Sequence, residues 1–264
     1  MDSITAILKR DRLIIGVALA GIAAVAWSYT AHEARRMNVT GVCMCAGMKM
    51  GGPDLASWSA DSLLPLFLMW SIMMVAMMLP SAAPILLTFA AVARNRRRAE
   101  RPYVPVAVFA AGYLAIWCLF SILAAAGQWL LHRAALLSPM MASSSTLFAG
   151  ALLLAAGVYE FTPLKKSCLI HCRAPLEFIM TRWREGWRGA FGMGIEHGAF
   201  CAGCCWALMA LLFVVGVMNI LWIAVLTIVV ALGKMLPRAQ WFSAASGTAL
   251  ICWGLWVMLK PYLG

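Results

Sequence analysis

The sequence predicts an all-α, polytopic transmembrane helix bundle of about seven helices, and three observations carry that prediction. Of the 264 residues, 64% are apolar and 12% charged, well below the roughly 25% charged residues of a soluble domain. Apolar runs near or above the length that crosses hydrocarbon recur from residue 13 to residue 259, and no polar block between them is long enough to fold by itself. The Lys and Arg residues fall mostly on one side when the runs are threaded as spans. Residues 1–264 therefore read as one integral membrane domain.

The first span, 13–29, follows Lys9, Arg10 and Arg12 and lacks a small-x-small cleavage site, so it reads as a retained span and not as a signal peptide. Residues 30–62 are expected to form a periplasmic loop, in which Cys43, Met44, Cys45, Met48 and Met50 place five sulfur atoms within eight residues. The second span, 63–92, contains Pro80, which removes a backbone donor and supplies a place to bend. Spans 104–131 and 146–161 follow, then a basic cytoplasmic loop at 162–189, then spans 190–217, 220–235 and 243–259. Arg94, Arg96, Arg97, Arg98 and Arg101 fall on the side of the N-terminus, with Lys165, Lys166, Arg173, Arg182, Arg184, Arg188, Lys234 and Arg238. The other side receives Arg35, Arg36, Lys49, Arg133 and Lys260. This bias predicts a multi-pass protein of the cell inner membrane, N-terminus cytoplasmic and C-terminus periplasmic. The net charge of +11 sits in short loops and suits the anionic lipid bilayer, not nucleic acid. Nothing in the chain fixes an oligomeric state.

The fifth span is unusually polar and rich in sulfur. On a helix, Met193, His197, Cys201, Cys204 and Cys205 fall within an arc of about 120°, and His197 lies about 6 Å along the axis from Cys201. Glu196 borders that arc, where it would orient the imidazole or bind a cation itself. Single membrane cysteines are usually small fillers. Three cysteines, a histidine and a glutamate within ten residues point instead to a metal site. Gly192, Gly194, Gly198 and Gly203 would let a neighbouring helix come close and enclose it. In the second span Met69, Met73 and Met77 line an arc of about 80°; thioethers are soft ligands that suit Cu(I), although a methionine stripe is more often packing. In the basic loop, Cys168 and Cys172 would share a face one turn apart if the segment is helical, with the nearby Lys and Arg favouring thiolate.

Three motifs occur together in order. They are Trp70 with the run Met73-Met74-x-x-Met77-Met78-x-Pro80, then Tyr159-x-x-Thr162-Pro163-Leu164-Lys165-x-x-Cys168-Leu169-x-x-Cys172, then Gly198-x-x-Cys201-x-Gly203-Cys204-Cys205-Trp206. On these motifs the chain resembles the predicted metal-binding integral membrane proteins, a bacterial family, over roughly residues 60 to 259. The resemblance implies metal binding, and in some members delivery of copper to a tyrosinase-type polyphenol oxidase. In the family pattern an acidic residue commonly precedes the lysine after the sixth span; here Gly233 precedes Lys234, which leaves an ion pair at this position in doubt.

The expected function is binding of a soft transition metal, Cu(I) first and another soft or borderline metal second. The metal would be delivered to a periplasmic or cytoplasmic copper-accepting protein or moved across the membrane, without enzymatic turnover. Candidate ligands are His197, Cys201, Cys204, Cys205, Glu196, Cys168, Cys172, Met73, Met77 and Met193. No Gly-x-x-x-x-Gly-Lys-Ser/Thr loop is present to bind a nucleotide. The alternative is a membrane thiol-disulfide oxidoreductase in which Cys201 and Cys204 cycle.

Overall fold

The computed structural model describes residues 2–40, 63–98, 104–137, 142–236 and 239–263. The Cys43–Met50 sulfur cluster, Lys49, Arg101 and Arg238 lie outside them. Ten helices and no strand are found among the described residues: α1 Asp2–Thr40, α2 Leu63–Arg98, α3 Val106–Arg133, α4 Thr146–Tyr159, α5 Pro163–Arg173, α6 Pro175–Arg182, α7 Gly186–Ala210, α8 Leu212–Val215, α9 Ile220–Met235 and α10 Ala239–Leu263. Five helices are long and apolar enough to cross a membrane, and six if α4 and α5, bent by 63° at their junction, are one broken span. At sixteen residues, α9 is about 24 Å long, short of the ~30 Å hydrocarbon core. The outer faces are apolar, as at Leu13, Val25, Leu64, Leu123, Leu147 and Leu221, which is consistent with a multi-pass membrane protein.

Two stretches differ from the expected boundaries, each for a local reason. Helix α1 continues well past residue 29, because residues 22–40 contain neither Gly nor Pro to stop it. The segment expected as a basic loop folds into α5 and α6. Thr162 caps α5 by accepting a hydrogen bond from the Lys165 backbone N–H, and Pro163 opens its first turn.

Helix α2 runs on through Pro80 and Pro84. Pro80 has no N–H to give the carbonyl four residues back, which is that of Ala76. The indole of Trp27 on α1 donates to that carbonyl at 2.9 Å, so the proline both opens the helix ladder and supplies the acceptor that fastens α1 to α2. A second buried pair, Trp70 Nε1 to Gln128 Oε1 at 2.7 Å, ties α2 to α3.

Close helix approach depends on glycine. A Cβ at Gly194 would strike the Phe109 carbonyl on α3, and one at Gly112 the Phe191 carbonyl on α7. Gly198 sits on Ile116 and Tyr113, and Gly203 faces α5, where a Cβ would meet Cys168 Sγ at 2.8 Å. Gly192, also expected to face a helix, meets only the Arg184 side chain. Gly150, Gly157, Gly247 and Gly254 do the same for α4 against α10. With the backbones this close, the side chains of α7 are presented directly to α3 on one side and α5 on the other.

Candidate metal centre

The bend between α4 and α5 brings two cysteine groups together that are about thirty residues apart in sequence. At the end of α4, the Tyr159 hydroxyl donates to the Gly203 carbonyl of α7, and its ring packs edge-on to Trp206. Glu160, buried at the break, pairs with Lys165 in the first turn of α5. Its other oxygen accepts from Ser243 Oγ at 2.5 Å and Ser246 Oγ at 3.3 Å on α10. Helix α5 is thus fixed at both its start and its flank, and Cys168 and Cys172, one turn apart, face α7. Cys168 lies on Gly203, and Cys172 Sγ is 3.9 Å from Cys204 Sγ. The Tyr-x-x-Thr-Pro-Leu-Lys motif is the device that sets this helix in place.

Cys201, Cys204 and Cys205 are all buried on α7. The thiols of Cys204 and Cys205 both donate to the Cys201 carbonyl, at 3.1 and 2.9 Å, and Cys172 also lies within reach of Cys201. The Cys201 sulfur has a different environment. Lys234 Nζ, in the last turn of α9, donates to it at 3.0 Å and to Ser81 Oγ of α2 at 2.9 Å. The Tyr113 hydroxyl of α3 is 3.1 Å from the same sulfur and 3.3 Å from the Met78 carbonyl. An ammonium inside a bundle needs partners, and Lys234 finds them in a hydroxyl and a sulfur. The doubt raised by Gly233 is resolved this way: the lysine pairs with Cys201, not with a neighbouring acid.

His197 is buried among the rings of Phe109, Tyr113 and Phe178. Its Nδ1 has no hydrogen-bond partner among the described residues. Glu196 turns outward: Arg182 pairs with one carboxylate oxygen and Arg184 with the other at 3.2 Å, so it holds α6 to α7 and makes no described contact with the imidazole. Met73, Met77 and Met193 are fully buried in the core that also holds the cysteines. Lys234, Tyr113, Ser81, Glu160 and Lys165 were not among the sequence candidates. The signals for Lys234 are its match to the lysine of the family pattern and its being a lone charge near the end of an otherwise apolar helix.

Among the described residues, no three His, Cys, Asp or Glu side chains stand ready to hold one metal ion. What the thiols offer is a pair. With metal–sulfur bonds of about 2.3 Å, the 3.9 Å between Cys172 and Cys204 is within the span that two sulfurs on one ion can cover. Soft thiolates at low coordination number suit Cu(I). A cavity of about 20 Å³, lined by apolar side chains together with Cys204, Cys205, Lys234, Glu160, Lys165 and two serines, has room for about one water or a bare ion.

No curated protein and no solved structure matches the chain. A family model does, over residues 67–257, the stretch that carries all three motifs and every cysteine of the cluster. Its description is a copper chaperone, which agrees with soft ligands gathered on two facing helices. The chain belongs to the PpoB2 copper chaperone family.

Proposed function

We propose that the chain binds Cu(I) within the membrane between Cys172 of α5 and Cys204 of α7 and passes it to a copper-accepting protein, of which a tyrosinase-type polyphenol oxidase is the leading candidate. The single observation that carries this reading is the meeting of two sequence-distant cysteine groups at 3.9 Å inside a family of copper chaperones. Cys168, Cys201, Cys205 and His197 surround the pair and serve as alternative donors as the metal moves. Met73, Met77 and Met193 act as packing, and Glu196 as an anchor for α6. The role is carriage and not turnover.

The site lies nearer the basic end of the bundle. Cys201 is five residues, about 7.5 Å, beyond Glu196 along α7, and Glu196 is where Arg182 and Arg184 reach the helix. With the basic side cytoplasmic, the N-terminus inside and the C-terminus periplasmic in the inner membrane, α4 and α9 cross as short spans and copper is received on the cytoplasmic side. Cu(I) titration with elemental analysis of the detergent-purified protein tests the reading. Near-stoichiometric copper in the wild type that is lost in both Cys172→Ser and Cys204→Ser supports it. Equal copper in all three proteins, or none in any, refutes it.

A further inference from the structure

Why should a copper site keep a lysine ammonium on one of its own sulfurs? An ammonium does not ligate metal; it has three donors and no lone pair. It is a cation, so it competes with Cu(I) for the same sulfur. At Cys201 that competition is built in: Lys234 Nζ is 3.0 Å from the sulfur, and the Tyr113 hydroxyl is 3.1 Å away on another side. Among the described residues no carboxylate pairs with Lys234, whose second partner is Ser81 Oγ. Lys234 is in hydrogen-bond contact with Cys201 and not with Cys204 or Cys172, whose sulfurs lie 3.9 Å from each other. These three sulfurs are therefore of two kinds, a pair shared between α5 and α7 and a guarded single sulfur one turn away on α7.

We infer that Lys234 is a positioning residue, a tethered counter-cation that keeps the Cys201 sulfur out of the resident copper site and yields it as a third ligand when the metal moves. This rests on the proposed Cys172–Cys204 site. In the transfer step a new bond forms between the Cys201 sulfur and Cu(I), and the bond from Cys172 to the metal then breaks. Cys201 enters as the thiolate that the Lys234 ammonium balances and Cys172 leaves as a thiolate, so copper stays Cu(I) and no proton or electron is exchanged. Lys234 keeps its proton and its hold on the Ser81 hydroxyl, which in turn donates to the Met78 carbonyl at 2.9 Å. The cavity shared by Lys234, Cys204 and Cys205 gives the ammonium room to withdraw. Guarding the third sulfur holds the metal at low coordination, where incoming ligands reach it.

The test separates coordination number from stoichiometry. Wild type, Lys234→Leu and Lys234→Arg are loaded with Cu(I). X-ray absorption counts the sulfur ligands, and the rate of loss to an external Cu(I) chelator is followed. Lys234→Leu, which removes the charge without adding a donor, is expected to gain one sulfur ligand and to release copper at least about tenfold more slowly, with Lys234→Arg close to wild type. In a Cys201→Ser background the Leu substitution is expected to change neither quantity. Should Lys234→Leu not fold, Lys234→Gln removes the charge while keeping a donor to Ser81 and carries the same expectation. An unchanged ligand count and release rate, or faster copper loss, would overturn the inference while leaving the site intact. A wild type that binds no copper refutes the proposed function itself.

Discussion

On α2, Met69, Met73 and Met77 are buried in the core beside Trp70 and Leu66, while on α7 Cys201 and Cys204 are buried to the same degree. What differs is the company. The cysteine sulfurs have a lysine, a tyrosine hydroxyl, the Cys201 carbonyl and the Cys172 sulfur within hydrogen-bonding reach, and Cys204 borders the cavity that Lys234 and Glu160 also line. A thioether accepts only weakly and donates nothing, so a methionine row needs no such partners and packs as an aliphatic chain would. Sulfur content and helical spacing look alike in the two regions. Polar partners and a facing element with its own sulfur separate a ligand set from packing.

The largest effect expected from that contrast is at the pair itself. Cys204→Ser should lower copper affinity by at least about tenfold, or roughly 1.4 kcal/mol, and Cys172→Ser should match it, although Cys172 lies on another helix; equilibrium competition with a Cu(I) chelator measures both. If only the α7 substitution matters, the two-helix site is wrong. Next in size is the packing that presents α7. Gly194→Leu puts side-chain carbons where the Phe109 carbonyl lies, and overpacking of this kind costs about 1–3 kcal/mol. A clear fall in thermal midpoint by differential scanning calorimetry is expected, and a midpoint equal to wild type would mean that α3 and α7 do not approach this closely. The smallest effect belongs to α2: Met73→Leu with Met77→Leu conserves volume and should cost less than about 1.5 kcal/mol. Its copper content should remain near wild type by elemental analysis, and a loss as large as that of Cys204→Ser would make the methionine row part of the site.

Much of this was legible in the sequence, and what was not has a common cause. Composition and apolar runs predict helices in a membrane, because the bilayer leaves few other solutions. The arc holding His197, Cys201, Cys204 and Cys205 follows from helical periodicity alone. The meeting of Cys172 with Cys204 does not, since it depends on a 63° bend fixed by Tyr159, Glu160, Thr162 and Lys165 acting across three helices. Nor does spacing reveal that Lys234 faces Cys201, thirty-three residues earlier in the chain. Glu196 shows the converse: next to His197 in sequence, it sits where a carboxylate on a helix surface meets Arg182 at the end of α6 and Arg184 just after it. Local pattern fixes which face a residue takes, and tertiary contacts choose its partner.

Thiol footprinting with and without Cu(I), mapped residue by residue, decides whether one copper ion joins α5 to α7. Cys118 and Cys252, both exposed and outside the cluster, serve as internal controls. Copper is expected to protect Cys172 and Cys204 together from alkylation and to leave Cys118 and Cys252 unchanged. Protection of Cys204 without Cys172, or equal labelling of both with and without the metal, would contradict it.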